Sequence, residues 1–155
     1  MADVKTQMQE IIEYIQDPKK FTDIGARLRR GVLLYGPPGT GKTLMAKAIS
    51  GESGSKFLYR SASEFLEVYV GVGPSRVRQL FEEARSYESC IIFIDEIDAI
   101  GARAKNQMID KGGNYELNAT VNQLLVEMDG FAETDRIVVI AATNHELLLE
   151  KALIR

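Results

Sequence analysis

Residues Gly36-Pro37-Pro38-Gly39-Thr40-Gly41-Lys42-Thr43 spell G-x-x-x-x-G-K-T, set between an apolar run, Val32 to Tyr35, and an amphipathic stretch opening near Lys42. A strand before and a helix after are the context that a phosphate-binding loop requires. Glycines let the main chain curl until several N–H groups point inward, and the following helix adds the partial positive charge of its N-terminus. Lys42 is then expected to reach the β- and γ-phosphates of a nucleoside triphosphate, with the Thr43 hydroxyl on magnesium. Leu44 completes the predicted nucleotide-contacting segment that begins at Gly36.

Such a site needs a second element to hold the metal and prepare water. Ile91-Ile92-Phe93-Ile94 reads as a buried strand, and Asp95 and Glu96 emerge at its end. In an open parallel sheet, ligands bind outside the carboxyl ends of the strands, which is where these acids fall. Asp95 suits the magnesium shell, directly or through water, and Glu96 suits orientation and deprotonation of a water for in-line attack. Asp98 reads equally as an extension of this acidic cluster or as a cap for the residues after it. A third apolar run, Ile137 to Ala142, leads to Thr143-Asn144. By itself Asn144 is an ordinary turn residue, but beside the other two elements its amide is suited to bond the attacking water or a γ-phosphate oxygen.

The rest of the chain arranges itself around these pieces. Met8, Ile11, Ile12 and Ile15 predict a leading amphipathic helix ended by Asp17-Pro18. A helix is expected from about Lys42 to Ser50, and a strand over Phe57 to Arg60. Ser61-Ala62-Ser63-Glu64 reads as a capping box for a short helix. Val77, Leu80, Phe81 and Ala84 predict a helix beginning near Pro74, and Leu117, Val121, Leu124, Leu125 and Met128 predict another. Gly101 to Asn114 has no periodicity and reads as a surface loop. Strands alternating with helices imply an α/β fold with a parallel sheet under right-handed crossovers.

With 155 residues, 45% of them hydrophobic, the chain can bury one sizeable core. Its 19 basic and 22 acidic residues give a formal net charge of -3, which argues against nucleic acid as a partner. Lys19, Lys20, Arg27, Arg29 and Arg30 read as a solvated basic face. The single cysteine, Cys90, is expected to pack as a small apolar side chain and fits a reducing compartment. No apolar stretch approaches the roughly 20 residues of a membrane-spanning helix. His145-Glu146-Leu147-Leu148-Leu149 begins like a zinc motif but lacks the second histidine, and His145 is the only histidine present, so it is not read as a metal site.

Taken together, these residues resemble the AAA+ ATPases, and within them the FtsH-type membrane-anchored, ATP-dependent zinc metalloproteases. The resemblance runs from Glu10-Ile11-Ile12-Glu13-Tyr14 to Ala152-Leu153-Ile154-Arg155. It is most specific at Tyr69 to Gly73 with Ser75-Arg76-Val77-Arg78, at Cys90 to Asp98, and at Asn122 to Phe131. It implies a P-loop NTPase three-layer sandwich over residues 1–155, the AAA+ large subdomain cut at both ends. It further implies ATP/ADP and Mg2+ as ligands, a homo- or hetero-hexameric ring, and unfolded polypeptides as substrates. Zn2+ would belong to a protease domain outside this chain, and a membrane anchor upstream would tie the longer protein to a bacterial plasma membrane or organelle inner membrane. The piece itself is expected to be soluble and monomeric.

Residue by residue, the resemblance matches Tyr69, Val70 and Gly71 to an aromatic pore loop that grips polypeptide, although Val68 to Val70 also reads as a short buried strand. Asp129, Gly130 and Phe131 match an intersubunit signalling element, compatible with a helix ending at a glycine. Arg155 matches the first of two arginines projected into a neighbour's ATP site, and is also an ordinary chain end. Hydrolysis is therefore expected to be slow and concentration-dependent. An AAA+ remodelling ATPase without a protease, and a nucleotide-binding module with little hydrolysis, stay open as alternatives. The loop and helical lid that enclose the base in this family have no counterpart, so base recognition is expected to be weak. His145-Glu146 stands where the family usually has Arg-Pro, and Asn114 to Asn118 lacks the usual acidic and basic pattern.

Overall fold

The computed structural model describes residues 2–17, 31–65, 72–97, 123–124, 126–130 and 136–144. Among the described residues, four strands form one parallel sheet: β1 (Gly31–Tyr35), β2 (Lys56–Ser61), β3 (Cys90–Asp95) and β4 (Ile137–Thr143), in the order β1-β4-β3-β2. A parallel sheet covered on both faces needs strands apolar on both sides, and the two central strands meet that need. Cys90 to Ile94 and Ile137 to Ile140 are buried throughout. Among the described residues, α1 (Ala2–Gln16) precedes these strands, and α2 (Lys42–Ser53) and α3 (Val72–Arg85) connect them.

Alternation along the strands splits the core into two layers. On one face Ile91, Phe93, Val138, Ile140 and Ala142 pack with Ile12, Tyr14 and Ile15 of α1 and Ala46 and Ile49 of α2. On the other, Ile92, Ile94, Ile137 and Val139 pack with Val77, Leu80, Phe81 and Ala84 of α3, and with Leu124 and Met128. Helix, sheet and helix make the three layers that the resemblance implies, around the parallel sheet that the alternation of strands and helices predicts. The Gln16 amide also donates to the Glu52 carbonyl at 3.3 Å, tying α1 to α2.

Element ends depart from the sequence expectations in instructive ways. Ser61 closes β2 and leads into a 3₁₀ turn, Ala62–Phe65, the last described residues before Val72. The expected cap is replaced by a hydrogen bond between the Ser61 and Ser63 hydroxyls at 2.9 Å. α3 starts at Val72, ahead of Pro74, because a proline within the first turn removes an N–H that has no intrahelical partner. Cys90 lies inside β3 and is not merely before it. Residues 123–124 and 126–129 are helical, as the periodicity through Met128 predicts. Among the described residues, no helix is long and apolar enough to cross a membrane.

Candidate nucleotide site

Parallel pairing puts the carboxyl ends of all four strands on one edge, and strand order decides which loops become neighbours. β1 runs into the phosphate loop at Gly36, β4 beside it ends at Thr143-Asn144, and β3 next to that ends at Asp95-Glu96. Register fixes the alignment: Tyr35 lies opposite Thr143, Ile94 opposite Ala141, and Ser61 opposite Asp95. Asn144 therefore stands between the loop and the two acids.

The loop holds a shape that costs an L-residue dearly. Gly39 (φ 80°) and Gly41 (φ 86°) both occupy the left-handed region, where a Cβ crowds the following carbonyl. Gly36 donates its N–H to the Thr143 carbonyl at 3.3 Å, fastening the loop to β4, and the Thr40 hydroxyl donates to the Pro37 carbonyl at 2.9 Å, fastening it to itself. Gly41 then opens α2 with no side-chain cap, leaving first-turn N–H groups for an outside acceptor.

Lys42 sits at the centre of this arrangement. Its ammonium donates to the Gly36 carbonyl at 2.5 Å, the Pro37 carbonyl at 3.1 Å and Asn144 Oδ1 at 2.8 Å. All three acceptors are neutral, so among the described residues the positive charge has no carboxylate partner. A half-buried ammonium surrounded by dipoles and facing an uncapped helix is the donor set that a phosphate fits.

The two acids are positioned differently. Asp95 is half-buried, and among the described residues each carboxylate oxygen accepts one hydrogen bond: Oδ2 from the Tyr59 hydroxyl at 3.0 Å, Oδ1 from the Glu96 N–H at 2.9 Å. Spare lone pairs on both oxygens suit a hard divalent cation such as magnesium. Glu96 is exposed and carries φ 55°, the one non-glycine positive φ among the described residues, a conformation costing roughly 1–2 kcal/mol. It is held from both sides, by its own N–H on Asp95 and by the Ile97 N–H on the Ala142 carbonyl at 3.0 Å, with Ile97 buried. The turn releases the Glu96 side chain to solvent directly beside Asp95.

Tyr59 carries no signal of its own in the sequence. It looks like any strand aromatic, and its role depends on pairing: Tyr59 lies opposite Phe93, so its side chain shares a face with that of Asp95 two residues further on. Burial, then the hydrogen bond and charge of Asp95, raise the phenol above its ordinary pKa, keeping it a donor. At the far end of the sheet, burial pushes the Cys90 thiol up to about 12, as expected for an inert packed cysteine.

Among the intersubunit candidates, Asp129 and Gly130 end the helical segment, with the Gly130 N–H on the Val126 carbonyl at 2.9 Å. Tyr69, Val70, Gly71, Asp98, Phe131, Arg155, the Gly101 to Asn114 stretch and the basic residues from Lys19 to Arg30 lie outside the described residues.

The model of the ATPase family associated with various cellular activities (AAA) matches residues 32–155, from β1 through the end of the chain. This chain belongs to the AAA family. Relatives of this AAA chain include the ATP-dependent zinc metalloprotease FTSH 10, mitochondrial, of Arabidopsis thaliana, 56% identical over 99% of this chain and 19% of the relative. The ATP-dependent zinc metalloprotease FtsH of Aquifex aeolicus is 56% identical over 100% of this chain and 24% of the relative. FtsH 2 of Symbiobacterium thermophilum is 52% identical over 100% of this chain and 26% of the relative. The AAA chain thus spans about a fifth to a quarter of the length of these curated relatives.

Proposed function

We propose that this chain binds ATP at the β1–α2 loop and hydrolyses it by attack of water on the γ-phosphorus, and that this drives unfolding and translocation of polypeptides into a zinc metalloprotease. The strongest support is the Lys42–Asn144 bond, which joins the phosphate loop to a strand end 102 residues away and beside the paired acids. Main-chain N–H groups from Gly39 to Leu44 hold the phosphates, and Lys42 exchanges its carbonyl partners for phosphate oxygens as charge develops on them. Asn144, freed from or sharing Lys42, orients the water, and Glu96 accepts its proton. Thr43 and Asp95 would hold magnesium, which would offset charge on the phosphate oxygens.

We further propose roles within a homo- or hetero-hexameric ring, which membership of the family supports. Tyr69, Val70 and Gly71 grip the polypeptide, Asp129, Gly130 and Phe131 pass the nucleotide state to the neighbour, and Arg155 reaches the neighbour's ATP. The domain works in a longer ATP-dependent zinc metalloprotease, anchored in a bacterial plasma membrane or organelle inner membrane, with zinc held outside residues 1–155.

Replacing Glu96 by Gln is the direct test, because it keeps size and polarity while removing the proton acceptor. ATP affinity by calorimetry is expected to stay within about twofold of the unsubstituted chain, while single-turnover release of labelled γ-phosphate falls by at least about 100-fold. Undiminished release would remove Glu96 from the mechanism. Turnover per chain is also expected to climb with protein concentration, since the Arg155 guanidinium acts on a neighbour.

A further inference from the structure

We propose that Tyr59 is a positioning residue for the divalent cation: its hydroxyl, carried on the edge strand β2, fixes the Asp95 carboxylate in the orientation that accepts magnesium. This rests on the reading of Asp95 as the magnesium acid. The geometry argues for positioning because Asp95 is clamped at both oxygens, by the Tyr59 hydroxyl at 3.0 Å and by the Glu96 N–H at 2.9 Å. One donor would leave the carboxylate free to turn about its last bond. A donor on each oxygen restrains that rotation, and each oxygen keeps a lone pair for the metal.

The donor is itself held. The Tyr59 ring stacks on Phe93 with centroids 5.8 Å apart and planes at 21°, and Phe93 stacks in turn on Phe57 at 6.0 Å. Strand pairing accounts for the reach: Ser61 is the register partner of Asp95, and Tyr59 is its diagonal neighbour on the same face. A diagonal gap of roughly 7–8 Å is too long for a short hydroxyl side chain and suits a tyrosine. Tyr59 is 43% exposed, and a ring left that open contributes little to the core. Its hydroxyl acts at the Asp95 carboxylate, where such outer partners of a metal ligand commonly matter.

The test compares Tyr59→Phe, which keeps the stacked ring, with Asp95→Asn, using ATP titrated calorimetrically into the chain in excess EDTA and in excess magnesium. In EDTA the Tyr59→Phe chain is expected to bind ATP like the unsubstituted chain, and each variant's gain in affinity on adding magnesium is read against its own value in EDTA. In magnesium, Asp95→Asn loses the metal-dependent gain in affinity, and Tyr59→Phe loses about 3- to 10-fold of it. Manganese as the spectroscopic probe is expected to bind the Tyr59→Phe nucleotide complex correspondingly more weakly and with an altered paramagnetic resonance spectrum. A Tyr59→Phe chain matching the unsubstituted one in both metal readouts, while Asp95→Asn fails, overturns the role of Tyr59 and leaves the site intact. Retention of the magnesium effect by Asp95→Asn overturns the reading of Asp95 and the proposal with it.

Discussion

Gly41 enters α2 at φ 86° and ψ 24°, and a Cβ built on it would meet nothing within 4 Å. The residue is therefore glycine for its dihedral angles and not for lack of space inside the protein. Gly41→Ala is expected to cost about 1–2 kcal/mol in urea unfolding, the penalty of a left-handed L-residue. Its effect on ATP affinity is expected to be larger, because relaxing that angle turns the loop amides away from the phosphates. Equal ATP affinity in the alanine variant, read by calorimetry, would show that the curl is not what binds. Glu96 illustrates the opposite case. There a carboxylate is retained at φ 55°, where glycine would be comfortable, so side-chain chemistry outweighs backbone ease.

Among the elements, β3 connects the core to the site: its first residue is a buried thiol and its last is the half-buried Asp95. Burial foremost, then the charge of Glu83, opposed by Lys56, lifts Cys90 from 9.0 to about 12. The unfolded chain therefore releases this proton first, so stability is fully present below about pH 9 and falls as pH rises towards 12. Urea midpoints measured across that range are expected to decline, and Cys90→Ala is expected to flatten the decline relative to the unsubstituted chain. Subtracting the two curves removes the contribution of Tyr59, whose raised pKa acts in the same direction above pH 10. Elsewhere, local patterns located elements better than their ends. The apolar periodicity of α3 identified Val77, Leu80, Phe81 and Ala84 as its buried stripe, but its start depended on how Pro74 fits a first turn. Ser61 to Glu64 carried the letters of a capping box; Ser61 itself is held in β2 by its pairing with Asp95, and the described residues after it, Ala62–Phe65, form a 3₁₀ turn.

For the molecule as a whole, ligand binding and folding are linked, since the cradle exists only when β1, β4 and β3 are assembled. ATP with magnesium at about 100 times its dissociation constant is expected to stabilise the chain by roughly 2.7 kcal/mol. In a chain of this size that corresponds to a rise of roughly 5–10 °C in Tm by differential scanning. Lys42→Ala is expected to abolish the rise while lowering the nucleotide-free midpoint only slightly, because the ammonium's partners are two carbonyls and an amide at an exposed to part-buried position that water can reach once the side chain is gone. A rise that persists in Lys42→Ala would place binding elsewhere. The phosphate loop, the acid pair and the alternation of strand and helix were readable in the amino acids because each depends on neighbours a few positions apart, through dihedral preference or apolar period. The Lys42–Asn144 contact, the left-handed turn at Glu96 and the hydroxyl of Tyr59 on Asp95 were not readable, because they depend on the order β1-β4-β3-β2 and on register. Strand order is settled by how two helical layers share one sheet, an energy spread over the entire core, and no short stretch of chain carries it.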